Sequence, residues 1–377
     1  MPRPIKIAYV IDTIVTPSAG TEKQLLMLLH GLDKTRFKPF LICLRDSDWL
    51  GRQSLPFDVT TLDVASLLSV QCLRGLRRFR QLHGREQFDI VQTFFDDGNI
   101  FGTLAARLAG CRTVISSRRN IGYRHGRMHR FILRRLRRWT NHYLANSTAV
   151  AQWTTATEGV VAAKLKVIHN GLDLQAFESV PEGARQRQRA EWGIGDDETL
   201  IGALANLRPV KNVESLIEAA AALCPEFSNI KFVVVGEGPE RNQYQRFIDN
   251  RGLTDRFALV GRYSNVIPCL AAFDIAVMCS KSESFSNSLI EYMAMGLPVA
   301  ASDVGGNPEA VTHRETGLLY SVEDGASLAG ALRELLTDKA MASRLGEKAR
   351  RDALLKYNTA DTLAHHQTYY EQITHRN

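Results

Sequence analysis

The sequence predicts an α/β protein built from two doubly wound domains. Its 377 residues suit two domains of ordinary size, each large enough to bury its own core. Short apolar segments bounded by polar residues, which are typical of buried parallel strands, alternate with longer segments of helical periodicity. The alternation stops at a turn formed by Asn170 and Gly171, and a second series begins near residue 200. We therefore place a domain boundary after Gly171.

In the first half, the opening strand leads to Gly20 and a helix that ends near Leu32. A glycine at a strand-to-helix turn lets the backbone approach a ligand closely, although a simple left-handed turn residue is an equal alternative. Strands are expected at 5–11, 40–44, 57–62, 88–93, 113–117, 141–146 and 164–169, with further helices at 98–108 and 124–139.

The second half repeats the pattern after a polar linker over 178–197. Strands are expected at 200–207, 232–235, 273–279, 299–301 and 317–320, and helices at 289–295, 326–337, 339–355 and 359–373.

Charge is unevenly divided between the two halves. Residues 1–171 hold 26 Lys and Arg against 12 Asp and Glu, a net +14, and the remainder holds 21 against 28, a net −7, which together give +7. A basic half suggests an anionic surface as its partner. The six cysteines form no CxxC pair and fit reduced core positions of a cytosolic protein rather than metal ligands. We expect no signal peptide and no membrane-spanning segment.

Two carboxylates, Glu283 and Glu291, stand on either side of a polar loop and the start of a short helix. The loop follows a parallel strand, and open α/β sheets bind ligands at the carboxyl ends of their strands. Free N–H groups of Ser288, Leu289 and Ile290 would attract phosphate, and Glu291, expected in the first helical turn, would accept hydrogen bonds from a ribose diol. Alternatively, Ser288 and Glu291 form a capping box that needs no ligand.

This stretch resembles the donor-nucleotide motif of the family 4 retaining glycosyltransferases. The family pattern has Glu-Gly-Phe-Gly, a second glutamate eight positions after the first, and a later Gly-Gly-x-x-Glu. The chain has Glu283-Ser-Phe285-Ser, Glu291-Tyr-Met293-Ala-Met-Gly296-Leu-Pro298-Val, and Gly305-Gly306-Asn-Pro-Glu309. Serines replace both glycines of the first element, which narrows the approach to the donor phosphates.

The resemblance implies the GT-B fold, in which two Rossmann-like doubly wound domains face a central cleft. Residues 1–171 would form the acceptor-side domain, 172–358 would bind the nucleotide sugar, and a C-terminal helix over 359–377 would pack back on the first domain. It also implies a metal-independent hexosyltransferase that retains configuration at the anomeric carbon and needs no cofactor beyond its nucleotide-diphosphate sugar.

Site residues follow from the positions that match the family. Glu283 would hold the donor sugar, and Lys211 and Arg208 the diphosphate, although Asn206 occupies the family's usual arginine position. Further donor contacts are expected from Gly20, Gly236, Arg262, Tyr263, Ser286, Asn287, Ser288, Leu289 and Glu291. A third glycine is missing after Gly238, which disfavours a dinucleotide cofactor.

Arginines stand in the first half where family members often have a histidine that contacts the donor sugar. We expect Arg118 or Arg119 to meet a phosphate or an acidic acceptor. Two arginine-rich helical segments are expected at 72–85 and 124–139, and the second carries Phe131, Ile132, Leu136 and Trp139 on one apolar side. Such helices bind anionic membrane surfaces. The alternatives are arginines that are simply solvated and nucleic-acid binding, which no motif supports.

The sequence thus predicts a glycosyltransferase of polysaccharide biosynthesis that works on a lipid-linked or cell-surface glycan at the cytoplasmic membrane face. A nucleotide-sugar epimerase of the same fold and a non-catalytic nucleotide-sugar-binding subunit are the alternatives. Acceptor-dependent release of nucleotide separates the transferase from both.

Overall fold

The structure is a computed structural model that describes residues 3–122 and 126–375. The chain divides into two compact units, Met1–Gly171 with Thr359–Asn377, and Leu172–Asn358. Each unit holds one parallel β-sheet with helices, which confirms the predicted α/β class with two doubly wound sheets.

The first unit contains a seven-stranded parallel sheet of order β3-β2-β1-β4-β5-β6-β7. Its strands are β1 (Ile5–Ile11), β2 (Phe37–Cys43), β3 (Asp58–Thr61), β4 (Ile90–Thr93), β5 (Thr113–Arg118), β6 (His142–Ala145) and β7 (Leu165–Val167). Its helices include α1 (Gly20–Gly31), α2 (Val70–Glu86), α3 (Asp96–Ala109), α4 (Arg127–Leu136) and α5 (Thr148–Glu158).

The two faces of this sheet carry separate cores, because successive strand side chains point to opposite sides. Ile7 and Tyr9 pack on one face with residues of α1. Ala8 and Val10 pack on the other face with residues of α2 and α3. Since α3 packs against both α2 and α4, the two arginine-rich helices flank it on that second side of the unit.

The second unit contains a six-stranded parallel sheet of order β10-β9-β8-β11-β12-β13. Its strands are β8 (Thr199–Leu204), β9 (Ile230–Val235), β10 (Phe257–Gly261), β11 (Ile275–Met278), β12 (Val299–Ser302) and β13 (Leu318–Tyr320). Its helices are α6 (Gln175–Glu178), α7 (Ala184–Glu191), α8 (Val213–Leu223), α9 (Arg241–Asn250), α10 (Ile267–Ala272), α11 (Asn287–Ala294), α12 (Asn307–Ala310), α13 (Ser327–Thr337) and α14 (Lys339–Lys356).

The last helix, α15 (Thr359–His375), returns to the first unit. Its Tyr370 and Ile373 are buried in the same core as Ile7 and Tyr9 of β1. The C-terminal helix is therefore a structural part of the first unit.

Several elements differ from the sequence prediction. Helix α5 was not predicted, because its threonines have weak helical propensity. The structure supplies a cap instead, since the Ser147 hydroxyl accepts the Val150 N–H at 3.1 Å. Helix α4 is shorter than predicted and runs from Arg127 to Leu136, and part of the predicted span, 124–125, lies outside the described residues. None of the helices within the described ranges is both long and apolar enough to cross a bilayer.

Candidate functional site

The candidate site of the second unit lies where β8 and β11 end, because these two strands are neighbours in the sheet. The turn after β8, Pro209–Lys211, and the loop after β11 are joined by two hydrogen bonds. Lys281 N–H donates to the Val210 carbonyl at 2.8 Å, and the Cys279 thiol donates to the Lys211 carbonyl at 3.2 Å. Burial raises the pKa of that thiol to about 12, so the thiol stays protonated. Both loops are thereby held at the carboxyl edge of the sheet.

Lys211 and Glu283 meet at this edge although 72 residues separate them in the chain. The Lys211 ammonium nitrogen lies 2.5 Å from Glu283 Oε1, and the Ser280 hydroxyl donates to the same oxygen at 2.6 Å. The two charged side chains are 26% and 10% exposed, so solvent screens their attraction less than it would at an open surface. Two residues predicted to act together are therefore in direct contact.

Helix α11 begins two residues earlier than the capping-box alternative requires. Ser286 is the N-cap, and its hydroxyl accepts the Leu289 N–H at 3.3 Å. Ile290 N–H donates to the Ser286 carbonyl at 3.4 Å. The expectation that Leu289 and Ile290 offer free N–H groups is therefore wrong. Within the described part of the chain, the Ser288 N–H keeps no acceptor, so the helix start is only partly open.

Glu291 is the fifth residue of α11 and does not lie in the first turn, which corrects the sequence expectation. Because the N-cap is Ser286, the helix begins earlier than predicted, and Glu291 lies in its second turn. Its side chain is buried on a helix that also buries Leu289, Ile290 and Met293. A buried carboxylate on an apolar helix needs polar partners, so its position is well defined.

Tyr292 is a site-forming residue that sequence reasoning missed. Its hydroxyl oxygen accepts the Leu204 N–H at 2.6 Å, which ties α11 to the end of β8. Burial raises the pKa of this phenol well above its usual value, so it remains neutral. A tyrosine within an apolar helical segment was the available signal, because a buried hydroxyl requires a partner.

Gly236 is required by close backbone packing. A Cβ atom at this position would lie 2.0 Å from the Ala205 carbonyl oxygen, and φ is 150°. Its N–H donates to the Gly261 carbonyl at 2.8 Å. Gly236, which follows β9, therefore packs between Ala205, which follows β8, and Gly261 at the end of β10.

Arg262 and Tyr263 have different surroundings. Arg262 is exposed. The Tyr263 hydroxyl donates to Glu191 at 2.5 Å and accepts from Trp192 Nε1 at 2.9 Å, with its ring edge-on to the Trp192 ring. Tyr263 thus binds the linker helix α7 to the sheet domain.

Arg208 directly precedes the Pro209–Lys211 turn and is exposed. No side chain of the described residues pairs with its guanidinium, which leaves this cation available beside Lys211. The displacement by two positions from the family pattern therefore still leaves an arginine next to the lysine turn.

In the first unit, Gly20 is the first residue of α1, and the N-cap of this helix is Ala19, whose side chain offers no hydrogen-bond acceptor. Arg118 is buried in an ion pair with Glu158 at 2.8 Å, and its guanidinium lies over the Tyr143 ring. This placement argues against the expectation that Arg118 meets an acceptor. The alternation of strand side chains turned Arg118 inward, where Glu158 neutralises it.

Arg119 has a different position from its neighbour. It donates to Asn170 Oδ1, its Nε is buried with no partner among the described residues, and burial lowers its pKa to about 10. It lines a small cavity of about 20 Å³ with Gln24, Ser117 and His366. A cavity of that size holds about one water molecule.

The fold and this loop geometry define the class of GT-B glycosyltransferases, α/β proteins of two Rossmann-like domains. Residues 184–352 match the family model described as glycosyl transferases group 1, and residues 18–176 match glycosyltransferase family 4. Together the two models account for most of the chain, which belongs to the family 4 glycosyltransferases.

Similar proteins agree with that assignment, and a solved structure has the same fold. The N-acetyl-alpha-D-glucosaminyl L-malate synthase of Bacillus anthracis is 31% identical over 185 residues, and the match spans 49% of this chain and about half (48%) of that relative. The UDP-Gal:alpha-D-GlcNAc-diphosphoundecaprenol alpha-1,3-galactosyltransferase of Escherichia coli is 24% identical over 89% of both chains. The Anabaena Alr3699/HepE structure with UDP has a TM-score of 0.83 at 20% identity, covering 98% of this chain and 100% of its own.

Proposed function

We propose that this protein is a retaining hexosyltransferase that uses a nucleotide-diphosphate sugar and needs neither a metal ion nor a further cofactor. Its acceptor is a lipid-linked or cell-surface glycan at the cytoplasmic face of the membrane. The observation that carries the proposal is the Lys211–Glu283 pair at the carboxyl edge of the second sheet, beside the start of α11.

Each donor group has a matching side chain. Lys211 and the exposed Arg208 supply the positive charge that a diphosphate requires, and the Ser288 N–H at the start of α11 adds a backbone donor. Glu283 accepts hydrogen bonds from hexose hydroxyls, and Glu291 accepts those of the ribose diol. Arg262 and the backbone around Gly236 would contact the base, and Gly20 and Arg119 would serve the sugar and acceptor side.

The reaction exchanges one bond at the anomeric carbon for another on the same face of the sugar. The bond to the diphosphate oxygen breaks, the acceptor hydroxyl oxygen forms the new bond, and the acceptor proton passes to the leaving phosphate. Positive charge grows on the sugar and negative charge on the diphosphate in the transition state. Lys211 and Arg208 act most strongly at that point, because the leaving group carries its largest charge there.

Similar proteins support a nucleotide-sugar donor. The Anabaena protein was crystallised with UDP-glucose, and the Escherichia coli relative is named for UDP-Gal. The acceptor in that relative's name is a diphosphoundecaprenol-linked sugar, which supports a lipid-linked acceptor for this chain.

An anionic membrane surface as partner is supported by α4. Leu133 is the one residue of this helix that is buried, while Met128 is 71% and Phe131 52% exposed. Phe131 belongs to the apolar side that the sequence predicts, and Trp139 of the same side is also exposed, at 45%. Arg127, Arg130, Arg134 and Arg135 of the same helix are exposed as well. Residues 98–157 contain no Asp or Glu, although Asp96 lies 3.7 Å from His129 of this helix. Such a helix binds an anionic membrane interface both by burying its apolar side chains and by the attraction of its arginines to anionic lipids.

Nucleotide release from a panel of UDP- and GDP-hexoses, with and without polyprenyl-diphosphate-linked sugar acceptors, tests the proposal. Acceptor-dependent release in the presence of EDTA, with the donor's anomeric configuration kept in the product, is the expected result. Isomerised donor without acceptor would establish the epimerase instead. Binding without turnover on any acceptor would establish a non-catalytic subunit.

A further inference from the structure

We propose that Ser280 is a positioning residue that fixes the Glu283 carboxylate so that its second oxygen, Oε2, is free to receive the donor sugar. The inference rests on the proposed function, because it assigns a partner to the carboxylate of that same site. It adds a residue that composition and motif reasoning did not select.

The Ser280 hydroxyl has one preferred acceptor. Ser280 lies two residues after the last residue of β11, Met278, and is 1% exposed. Its Oγ is 2.6 Å from Glu283 Oε1 and 3.6 Å from the Met278 sulfur. A serine has a single hydroxyl proton, and a charged oxygen at short distance is a much stronger acceptor than a thioether. The proton therefore points to Glu283.

Both protein donors of Glu283 meet on the same oxygen. Lys211 Nζ lies 2.5 Å from Oε1, which Ser280 also reaches. No donor among the described residues reaches Oε2. Since a carboxylate oxygen accepts about two hydrogen bonds, Oε1 is filled and Oε2 keeps its full capacity. Ser280 thus keeps Oε1 of Glu283 bonded to the protein and leaves Oε2 able to accept hydrogen bonds from the donor sugar.

This arrangement also allows Lys211 to serve two anions. When the ammonium turns toward a diphosphate, Ser280 remains as the side-chain donor on Oε1 and keeps the carboxylate in place. Without the hydroxyl, the carboxylate is free to rotate and close on Lys211 with both oxygens, because opposite charges at low exposure attract strongly. That closure would withdraw Glu283 from the sugar and Lys211 from the leaving group.

The test compares Ser280→Ala with Ser282→Ala. Ser282 lies on the same loop, is half-buried, and makes no hydrogen bond to any described residue. Binding of UDP against UDP-glucose, and of GDP against GDP-mannose, separates the nucleotide contribution from the sugar contribution. In Ser280→Ala we expect nucleotide affinity within about twofold of wild type and kcat/KM for the nucleotide sugar about tenfold lower. Ser282→Ala should match wild type, and Ser280→Thr should recover most of the loss.

Three results would overturn the inference. Equal kcat/KM in Ser280→Ala and Ser282→Ala would show that the hydroxyl does not position the carboxylate. A loss that is the same for nucleotide and nucleotide sugar, with a lowered Tm, would show a purely structural role. If the wild-type protein binds none of the four probes, the proposed function itself fails, which is a different outcome from a failure of Ser280 alone.

Discussion

The Tyr370 hydroxyl of α15 donates a hydrogen bond to Gln92 Oε1 of β4 at 2.6 Å, joining residues that lie 278 positions apart. Tyr9 of β1 donates in turn to the Tyr370 oxygen at 3.3 Å. All three side chains are buried. The returning helix is therefore held to the first unit by a buried polar chain as well as by apolar packing.

Removing that hydroxyl should destabilise the first unit. Tyr370→Phe leaves Gln92 Oε1 buried without this donor, which should lower the free energy of unfolding by about 1–3 kcal/mol. Hydrogen exchange of the β1 and β4 amides measures the change in that unit. Tyr369→Phe is the matched control, because this neighbour is half-buried and its hydroxyl bonds to no described residue. Equal exchange in both variants would contradict the role given to Tyr370.

His366 should make the first unit sensitive to acid. Burial, with Arg119 and His365 nearby, lowers its pKa from 6.5 to about 3. The folded state therefore excludes a proton that the unfolded chain binds, and stability falls as pH drops from about 6.5 toward 3, by up to about 1.4 kcal/mol per pH unit. His366→Gln should flatten this slope in urea titrations from pH 7 to pH 4, whereas the exposed His365→Gln should keep it. Parallel slopes for wild type and His366→Gln would refute the assignment.

Lys211 should be essential for departure of the leaving group. Lys211→Met removes the cation that lies 2.5 Å from Glu283 and faces the proposed diphosphate, so kcat should fall by about 10²- to 10³-fold. Lys281→Met is the control, because Lys281 is an exposed neighbour on the facing loop. Single-turnover kinetics with the preferred donor give the comparison. Near wild-type rates in Lys211→Met would remove the main support for the proposed function.

Glu291 should recognise the ribose. Glu291→Gln should raise the nucleotide Kd by about 10- to 100-fold, since hydrogen bonds to a charged acceptor are lost. A nucleotide lacking the ribose 3′-hydroxyl should bind wild type almost as weakly, and the two changes together should not add, because they remove the same contact. Glu214→Gln, an exposed position on α8, serves as the control. Additive losses would place Glu291 away from the ribose.

Membrane binding should depend on part of the α4 arginines. Arg134 and Arg137 donate to the carbonyls of Thr157 and Gly159 at the end of α5, so they have structural partners. Changing three of the other solvent-facing arginines, Arg127, Arg130 and Arg138, to Gln should weaken binding to phosphatidylglycerol vesicles on the order of 100-fold, at roughly 1 kcal/mol each.

The contribution of the apolar side chains to vesicle binding is tested with a Phe131→Ser, Met128→Ser double variant and the same phosphatidylglycerol vesicles. Three exposed arginines of the second unit, Arg246, Arg344 and Arg351, changed to Gln give a variant of equal net charge. If that variant loses vesicle binding as strongly as the α4 variant, the attraction comes from net charge and not from a docking surface.

Sequence reasoning was most successful where a pattern is local. The strand alternation and the break near Gly171 gave the two sheets, and the spacing of Glu283 and Glu291 selected the loop and helix that follow β11. Sequence reasoning placed the start of α11 wrongly. Ser286 and Ser288 can each cap a helix, and only the structure shows that Ser286 has the extended backbone of the N-cap. Sequence reasoning also could not tell the role of Arg118 from that of Arg119. The two are adjacent in sequence, but Arg118 pairs with Glu158 and Arg119 faces Asn170.

The chain's own residues determined the fold class, the order of elements and the identity of the charged groups near the candidate site. Hydrophobic periodicity and helix ends depend on residues that are close together in sequence. Tertiary structure alone decided that Lys211 and Ser280 share one oxygen of Glu283, that Glu158 neutralises Arg118, and that Phe131 faces outward. Those outcomes depend on which strand ends become neighbours in a sheet and which side of each element is covered, and both are set by contacts between residues far apart in sequence.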